Sequence, residues 1–268
     1  MSTSSKGIAL VTGASAGIGA IYADRLARRG YDLILVARSQ ARLDDVAKRV
    51  AGSTGRAVRT VAADLNDKAD LKRIETILAT DPGITMLVNN AGVGGVGPLL
   101  QSDVDTMEDM IDLNVTALTR LSYAAAPVFV ARGGGTIINI SSVVAVAPEV
   151  LNGVYGGSKA YVLAFSQSLH KELAEKNVRI QVVLPGATAT NFWDAAGGSL
   201  DHLPGNMVMQ SDDLVDAALA GFDQGELVTI PSLPDVADWR AYEGARQKLV
   251  PNLSLNSVPA RYRAAVAA

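Results

Sequence analysis

Residues 8–19 read Ile8-Ala9-Leu10-Val11-Thr12-Gly13-Ala14-Ser15-Ala16-Gly17-Ile18-Gly19. The stretch opens as a short apolar run rich in β-branched residues, the pattern of a strand buried on both faces. It then turns through three glycines into a helix that sets Ile18, Ile21, Tyr22 and Leu26 on one stripe. Strand, glycine turn, helix is the layout that presents backbone N–H groups and a helix N-terminus to a phosphate. The glycines divide the work into a tight turn, close approach of backbone to pyrophosphate, and close helix–strand packing.

Composition bounds what surrounds this stretch. At 268 residues the chain sits at the upper end of one α/β domain, and 49% hydrophobic residues suffice for a parallel sheet covered on both faces. A net charge of −3 offers no electrostatic basis for binding nucleic acid or an anionic membrane. There is no cysteine, so disulfides, thiolate nucleophiles and cysteine metal sites are excluded. The two histidines, His170 and His202, lie far apart in sequence, and no metal site is expected. No apolar run approaches the roughly 18 residues of a membrane span. The leader Met1-Ser2-Thr3-Ser4-Ser5-Lys6 lacks an apolar core and reads as a frayed terminus. The expectation is a soluble, cytoplasmic protein with neither nucleic-acid nor membrane partners.

Outward from the glycine turn, Arg25, Arg28 and Arg29 followed by Gly30 suit a helix end. Residues 32–37 form a second buried strand that ends at Arg38, with no carboxylate at Val36 or Ala37. At this strand tip an acidic residue accepts from the 2′-hydroxyl of NAD, whereas an arginine pairs with the 2′-phosphate of NADP. Arg38, helped by Ser15 and Ser39, therefore predicts NADP(H) in preference to NAD(H). A helix over 41–50 and a third strand over 58–62 follow, and Asp64 is placed to cap the next helix. A fourth strand, 84–88, closes on Asn89-Asn90-Ala91-Gly92, adjacent amides that are costly unless hydrogen-bonded. One long helix, or two runs of one, is expected from Asp103 to Arg132, with Asn114 inside it. Residues 136–142 make a fifth strand, and a helix begins at Gly153, bringing Tyr155 and Lys159 onto one face. The sixth strand, 178–184, ends in Pro185-Gly186-Ala187-Thr188-Ala189-Thr190. Beyond it, large apolar groups between glycines suggest a mobile lid. Ser211 is placed to cap a helix, residues 226–230 form a short seventh strand, and a helix over 235–249 carries Trp239 and Tyr242. Exposed aromatics there would imply a partner subunit or a cover for the cleft.

The Gly-x-x-x-Gly-x-Gly spacing behind Thr12, the Asn89–Gly92 run, Asn114, the Tyr155/Lys159 pair and the Pro185–Thr190 turn stand in one order along residues 7–230. In that order the chain resembles the short-chain dehydrogenase/reductase family. The resemblance adds Ser142, thirteen positions before Tyr155, with Lys159 four after it. It implies a Rossmann-type, doubly wound, seven-stranded parallel sheet in the order 3-2-1-4-5-6-7. It implies cofactor contacts from Gly13, Ser15, Ala16, Gly17, Ile18, Gly19, Arg38, Ser39, Asp64 and Leu65 (at adenine), Asn90, Ala91 and Gly92. Further cofactor contacts would come from Tyr155 and Lys159, Pro185, Gly186, Thr188 (at the carboxamide) and Thr190 (at phosphate). Asn114 would hold a water behind the catalytic pair. Homodimers or homotetramers through the long helices are typical of the family.

Hydride transfer between a nicotinamide and a carbonyl needs a fixed cofactor face and a proton for the developing alkoxide. Free tyrosine, with a pKa of about 10, is a poor acid–base catalyst at neutral pH. An ammonium one helical turn away is expected to lower that pKa, and a serine hydroxyl to orient the carbonyl. Tyr155, Lys159 and Ser142 supply these groups, with Asn114 behind them. Cleft walls from Val93, Val96, Val143, Val144, Val150, Leu151, Phe192 and Trp193 favour an apolar ketone or aldehyde and its alcohol. The expected organisation is a single domain over 1–268: a cofactor-binding and catalytic core at 7–190, a substrate lid at 191–225 and a C-terminal extension at 231–268. Two other readings stay open, a 3-oxoacyl-thioester reductase, which would want cations near the mouth, and a non-enzymatic NADP(H)-binding regulator.

Overall fold

The computed structural model describes residues 5–190, 192–200 and 203–263. They form two compact units, one up to Ser232 and one from Leu233. The first unit alternates strand and helix: β1 (Ile8–Thr12), α1 (Gly17–Arg28), β2 (Asp32–Ala37), α2 (Gln40–Thr54), β3 (Val58–Ala62), α3 (Lys68–Thr80) and β4 (Ile84–Asn89). There follow α4 (Val104–Ile111), a π-helical segment Asp112–Ala117, α5 (Leu118–Ala131), β5 (Gly135–Ile140), α6 (Gly153–Leu173) and β6 (Val178–Val183). The unit ends with two-residue β7 (Thr188–Ala189), four-residue α7 (Phe192–Ala195), β8 (Met209–Gln210), α8 (Ser211–Asp223) and β9 (Val228–Thr229).

Seven parallel strands share one sheet in the order β3-β2-β1-β4-β5-β6-β9, as expected, with β9 as the seventh. A separate parallel pair, β7 with β8, had no sequence signal. The central strands are apolar throughout because both faces are covered. In β1, Ala9 and Val11 join the core under α1 and α8, whereas Leu10 joins the core under α3 and α5. In β2, Leu33 and Leu35 face the first core and Ile34 and Val36 the second. Tyr22, Leu26, Leu43 and Leu214 fill one side; Ile74, Leu78, Leu121 and Phe129 fill the other. Each such side chain contributes about 1.5–3 kcal/mol on full burial. The strand order reverses between β1 and β4, and the crevice beyond their carboxyl ends is where a doubly wound sheet takes a ligand.

Some local expectations are corrected. Asp64 does not cap α3; Asp67 does, accepting from the N–H of Ala69 and Asp70, while Asp64 accepts from the N–H of Asn66. Ser211 does not cap α8 but donates to the carbonyl of Ala189, pinning α8 to β7. The long helix is interrupted by the π-helical segment around Asn114 and carries Pro127 inside α5. Tyr123, on α5, is 68% exposed.

The second unit holds α9 (Val236–Leu249), capped by Asp235, in which no residue is buried. Trp239 and Tyr242 stack at 5.3 Å, with Tyr242 exposed. Among the described residues no helix is long and apolar enough to cross a membrane.

Candidate active site

The glycine turn is locked from behind. Thr12 Oγ1 accepts from the N–H of both Asn90 and Ala91 at 3.0 Å and donates to the carbonyl of Val88. Asn90 Nδ2 donates to the carbonyls of Thr12 at 2.9 Å and Gly13 at 3.3 Å. Gly13 adopts φ +65°, and a Cβ there would lie 2.9 Å from Ala91 Cα, so only glycine fits. Gly19 packs on the Gly13 carbonyl and on Asn90 with no room for a side chain. The N-cap of α1 is Ala16, which offers no side-chain cap, and no acidic residue occupies the first turn. The first amides of α1 are thus left for an external acceptor.

Asn89, at the end of β4, donates to Ser122 Oγ at 3.1 Å and to Asn139 Oδ1 at 2.9 Å; Asn139 donates to Ser166 Oγ at 2.9 Å. This buried chain ties β4 and β5 to α5 and α6 and offsets part of the desolvation cost of the amides, leaving Asn89 Oδ1 buried without a partner among the described residues. Ser141 Oγ donates to the carbonyl of Lys159 at 2.7 Å, anchoring α6 to the end of β5.

Ser142, Tyr155 and Lys159 meet at one point. Ser142 Oγ donates to the carbonyl of Pro185 at 3.3 Å and accepts from the N–H of Val144 at 3.4 Å. Lys159 Nζ lies 5.8 Å from the centroid of the Tyr155 ring and donates to the carbonyl of Ile140 at 3.1 Å. Gly92 faces this ammonium, where a Cβ would come within 3.3 Å of Nζ and 3.0 Å of Asn114 Oδ1. Burial pushes the Tyr155 phenol up to about 12, with the neighbouring Ser142 hydroxyl pulling the other way. Burial likewise brings the Lys159 ammonium down to about 8. The expectation that Lys159 lowers the tyrosine pKa is not met in the cleft as it stands: burial dominates, and the opposing pull comes from Ser142.

Asn114 is 1% exposed. Its Oδ1 accepts from the N–H of Val93 at 3.0 Å, and its Nδ2 donates to the carbonyl of Val93 at 2.9 Å and to Ser158 Oγ at 3.1 Å. The side chain is committed to the loop after β4, so a water behind the pair would have to be held by the Asn114 backbone.

A cavity of about 1240 Å³ runs past these groups. Of the expected cofactor residues, Gly13, Ala16, Gly17, Ile18, Arg38, Asn90, Ala91, Gly92, Pro185, Gly186, Thr188 and Thr190 line it, together with Ser142, Tyr155 and Lys159. Ser15, Gly19, Ser39, Asp64, Leu65 and Asn114 stand off its wall. Ser39 caps α2 and Leu65 is part of the core. Arg38 is exposed and pairs with no carboxylate among the described residues. The bare α1 N-terminus, the three glycines and this free guanidinium suit a phosphorylated dinucleotide.

The other end of the cavity is apolar, walled by Val93, Val96, Val143, Val144, Val150, Leu151, Phe192 and Trp193, as expected, and also by Leu203, Met207, Val208 and Met209. Phe192 leans on the Tyr155 ring at 5.9 Å and is seated on Gly94, which has no space for a Cβ. Trp193 meets Phe192 edge-on, and its Nε1 donates to the carbonyl of Thr188 at 3.0 Å. Of the expected lid, Asn191, Asp201 and His202 lie outside the described residues. Arg38 and Lys159 are the only cations on the described wall.

Sequence reasoning missed Asn139, Ser158 and Asn152. Asn152 could have been found as a favoured N-cap residue directly before the predicted helix start.

A family model described as short chain dehydrogenase matches residues 7–198. The fold is similar to a short-chain dehydrogenase from Sphingobium yanoikuyae in complex with NADPH: 49% identity, 96% of this chain and 100% of that chain covered, TM-score 0.93. It is also similar to a bulky-bulky ketone specific alcohol dehydrogenase from Comamonas testosteroni: 43% identity, 96% and 98% covered, TM-score 0.88. In sequence, the very-long-chain 3-oxoacyl-CoA reductase-A of Danio rerio is 37% identical over 197 residues, 72% of this chain. The match spans only 61% of that relative's length.

Proposed function

The chain belongs to the short-chain dehydrogenase family, and from that premise we propose that it is an NADP(H)-dependent oxidoreductase interconverting apolar ketones or aldehydes and their alcohols. The observation that carries the reading is the meeting of Ser142, Tyr155 and Lys159 in one cavity, dinucleotide-suited at one end and apolar at the other. A bound nicotinamide supplies or accepts the hydride at the carbonyl carbon. Gly13, Ala16, Gly17 and Ile18 would hold the cofactor's pyrophosphate with help from the Thr190 hydroxyl, Arg38 its 2′-phosphate, and Thr188 its carboxamide.

Ser142 Oγ orients the carbonyl oxygen, and Tyr155 Oη delivers the proton to it in reduction or removes it in oxidation. A phenol held near 12 stays protonated at neutral pH, which suits reduction. The Lys159 ammonium stabilises the phenolate that remains, and it carries this charge only below about pH 8. The apolar walls exclude water and strengthen both interactions.

The cofactor preference is supported by Arg38 and by the NADPH in the Sphingobium relative. Bulky ketones are supported by the cavity's size and by the bulky-bulky ketone specificity of the Comamonas relative. The curated relatives favour a second reading, reduction of 3-oxoacyl thioesters. That reading lacks the cations a coenzyme A phosphate would want at the apolar end, where the described wall carries none.

An NADPH-depletion assay over ketones of graded size, run beside NADH and beside a 3-oxoacyl-CoA, tests the proposal. NADPH-dependent reduction of apolar ketones is expected, with slower use of NADH. Tyr155→Phe should lower kcat by at least about a thousandfold while NADPH affinity holds. Retained turnover would remove Tyr155 from its role.

A further inference from the structure

Asn152 is 5% exposed, and its side chain serves two elements at once. Its Oδ1 accepts from the N–H of Val154 at 2.9 Å and of Tyr155 at 3.4 Å, capping α6. Its Nδ2 donates to the carbonyl of Gly97 at 2.6 Å and to Ser102 Oγ at 3.3 Å. Ser102 Oγ in turn donates to the carbonyls of Gly97 and Pro98, drawing the 97–102 turn into a closed knot. One carboxamide therefore joins the start of the catalytic helix to the loop after β4. The near end of that loop is held by the other buried asparagine, Asn114, on Val93. Between the two clamps lie Val93 and Val96, both on the cavity wall.

The geometry points to Asn152 as a positioning residue for the reaction: its carboxamide sets the spacing between the 93–102 wall and the Tyr155 phenol, and so the width of ketone that reaches it. The inference rests on the ketone-reducing reading above. Only an amide of this length meets both demands. Aspartate keeps the cap but turns an acceptor toward the Gly97 carbonyl; serine keeps the cap and falls short of the loop. The consequence falls on which ketones fit, because a wall displaced by about 1 Å admits the wide and the narrow substrate differently while the Tyr155 phenol stays on α6.

The test compares wild type with Asn152→Asp and with the neutral Asn152→Ser, which carries the comparison if the charged variant fails to fold. Hydrogen exchange is followed over 93–102 and over α6, and kcat and KM are measured for a methyl ketone and for a diaryl ketone. The expected result is about tenfold faster exchange in the loop, with α6 and NADPH affinity held. The ratio of kcat/KM between the wide and narrow ketones should shift by about tenfold or more. The shift should sit in KM for the wide ketone, while kcat for the narrow one stays within about threefold. Wild-type exchange in the loop, or an unchanged ketone ratio, overturns the inference. A wild-type protein that binds NADPH and reduces neither ketone overturns the ketone reading instead; the exchange comparison then still decides whether Asn152 holds the wall to the helix.

Discussion

In the proposed reaction Lys159 would act at the expense of the fold. The residue is buried, 6% exposed, and its ammonium makes one hydrogen bond among the described residues, to the carbonyl of Ile140. Burial lowers its pKa from 10.5 to about 8. Below pH 8 both folded and unfolded chains carry the charge, and the desolvation penalty is present in full. Between about 8 and 10.5 the unfolded chain binds a proton that the folded chain has released, so stability rises with pH. Tyr155 acts in the opposite direction: from 10 to about 12 the folded chain keeps a proton that the unfolded chain has lost, and stability falls. Lys159→Met should therefore be more stable than wild type at pH 7, by up to about 3 kcal/mol, with the gap closing by pH 10.5. Thermal unfolding at pH 7 and pH 10 measures this; a variant less stable than wild type at pH 7 contradicts it. The Tyr155 and Lys159 pair was legible from spacing, because a helix places residues four apart on one face, whereas Ser142 was implied by the family resemblance. The direction of the pair's pKa shifts was not legible, because desolvation depends on what packs over them from elsewhere in the chain.

At the scale of elements, the glycine turn works as one piece with Thr12 and Asn90. Gly19 sits at its closest contact, backbone to backbone, where nothing flexible can yield. Gly19→Ala should cost about 1–3 kcal/mol in stability and abolish measurable NADPH binding, read by thermal unfolding and by quenching of tryptophan fluorescence. Wild-type affinity in a folded variant would show that the turn tolerates displacement. The strands and most helices could be read from apolar runs and turn residues. The π-helical segment at Asn114 could not, because its sequence also suits an α-helix; what rewards the extra residue is the contact of Asn114 with Val93, twenty-one positions away. Cap assignments at Asp64 and Ser211 failed for a similar reason. Asp67 offered a competing carboxylate, and the carbonyl of Ala189 competed for the Ser211 hydroxyl.

Over the whole sheet unit, α1 and α8 are bound by ion pairs across the surface. Arg25 meets Asp212 at 2.8 Å and Asp216 at 2.7 Å, and Arg29 meets Asp223 at 2.8 Å. The aspartates are more than half exposed, so the pairs are screened. Arg25→Ala should lower stability by about 1 kcal/mol or less at low salt, and the difference should shrink in 1 M salt. A larger, salt-independent loss in denaturant unfolding would mean that the stem of Arg25, not its charge, does the holding.

By itself the sequence determined the strand runs, the phosphate-suited turn and the shared helical face of Tyr155 and Lys159, which follow from backbone conformation and from periodicities of two and 3.6 acting over a few residues. The sheet order and the place of Ser142 were implied by the family resemblance. Only the tertiary structure decided which amides clamp which loops, which groups are stripped of water, and that the apolar end of the cleft carries no cation among its described residues. Those outcomes depend on groups far apart in the chain meeting, and a buried polar atom takes whichever partner the packing brings within reach.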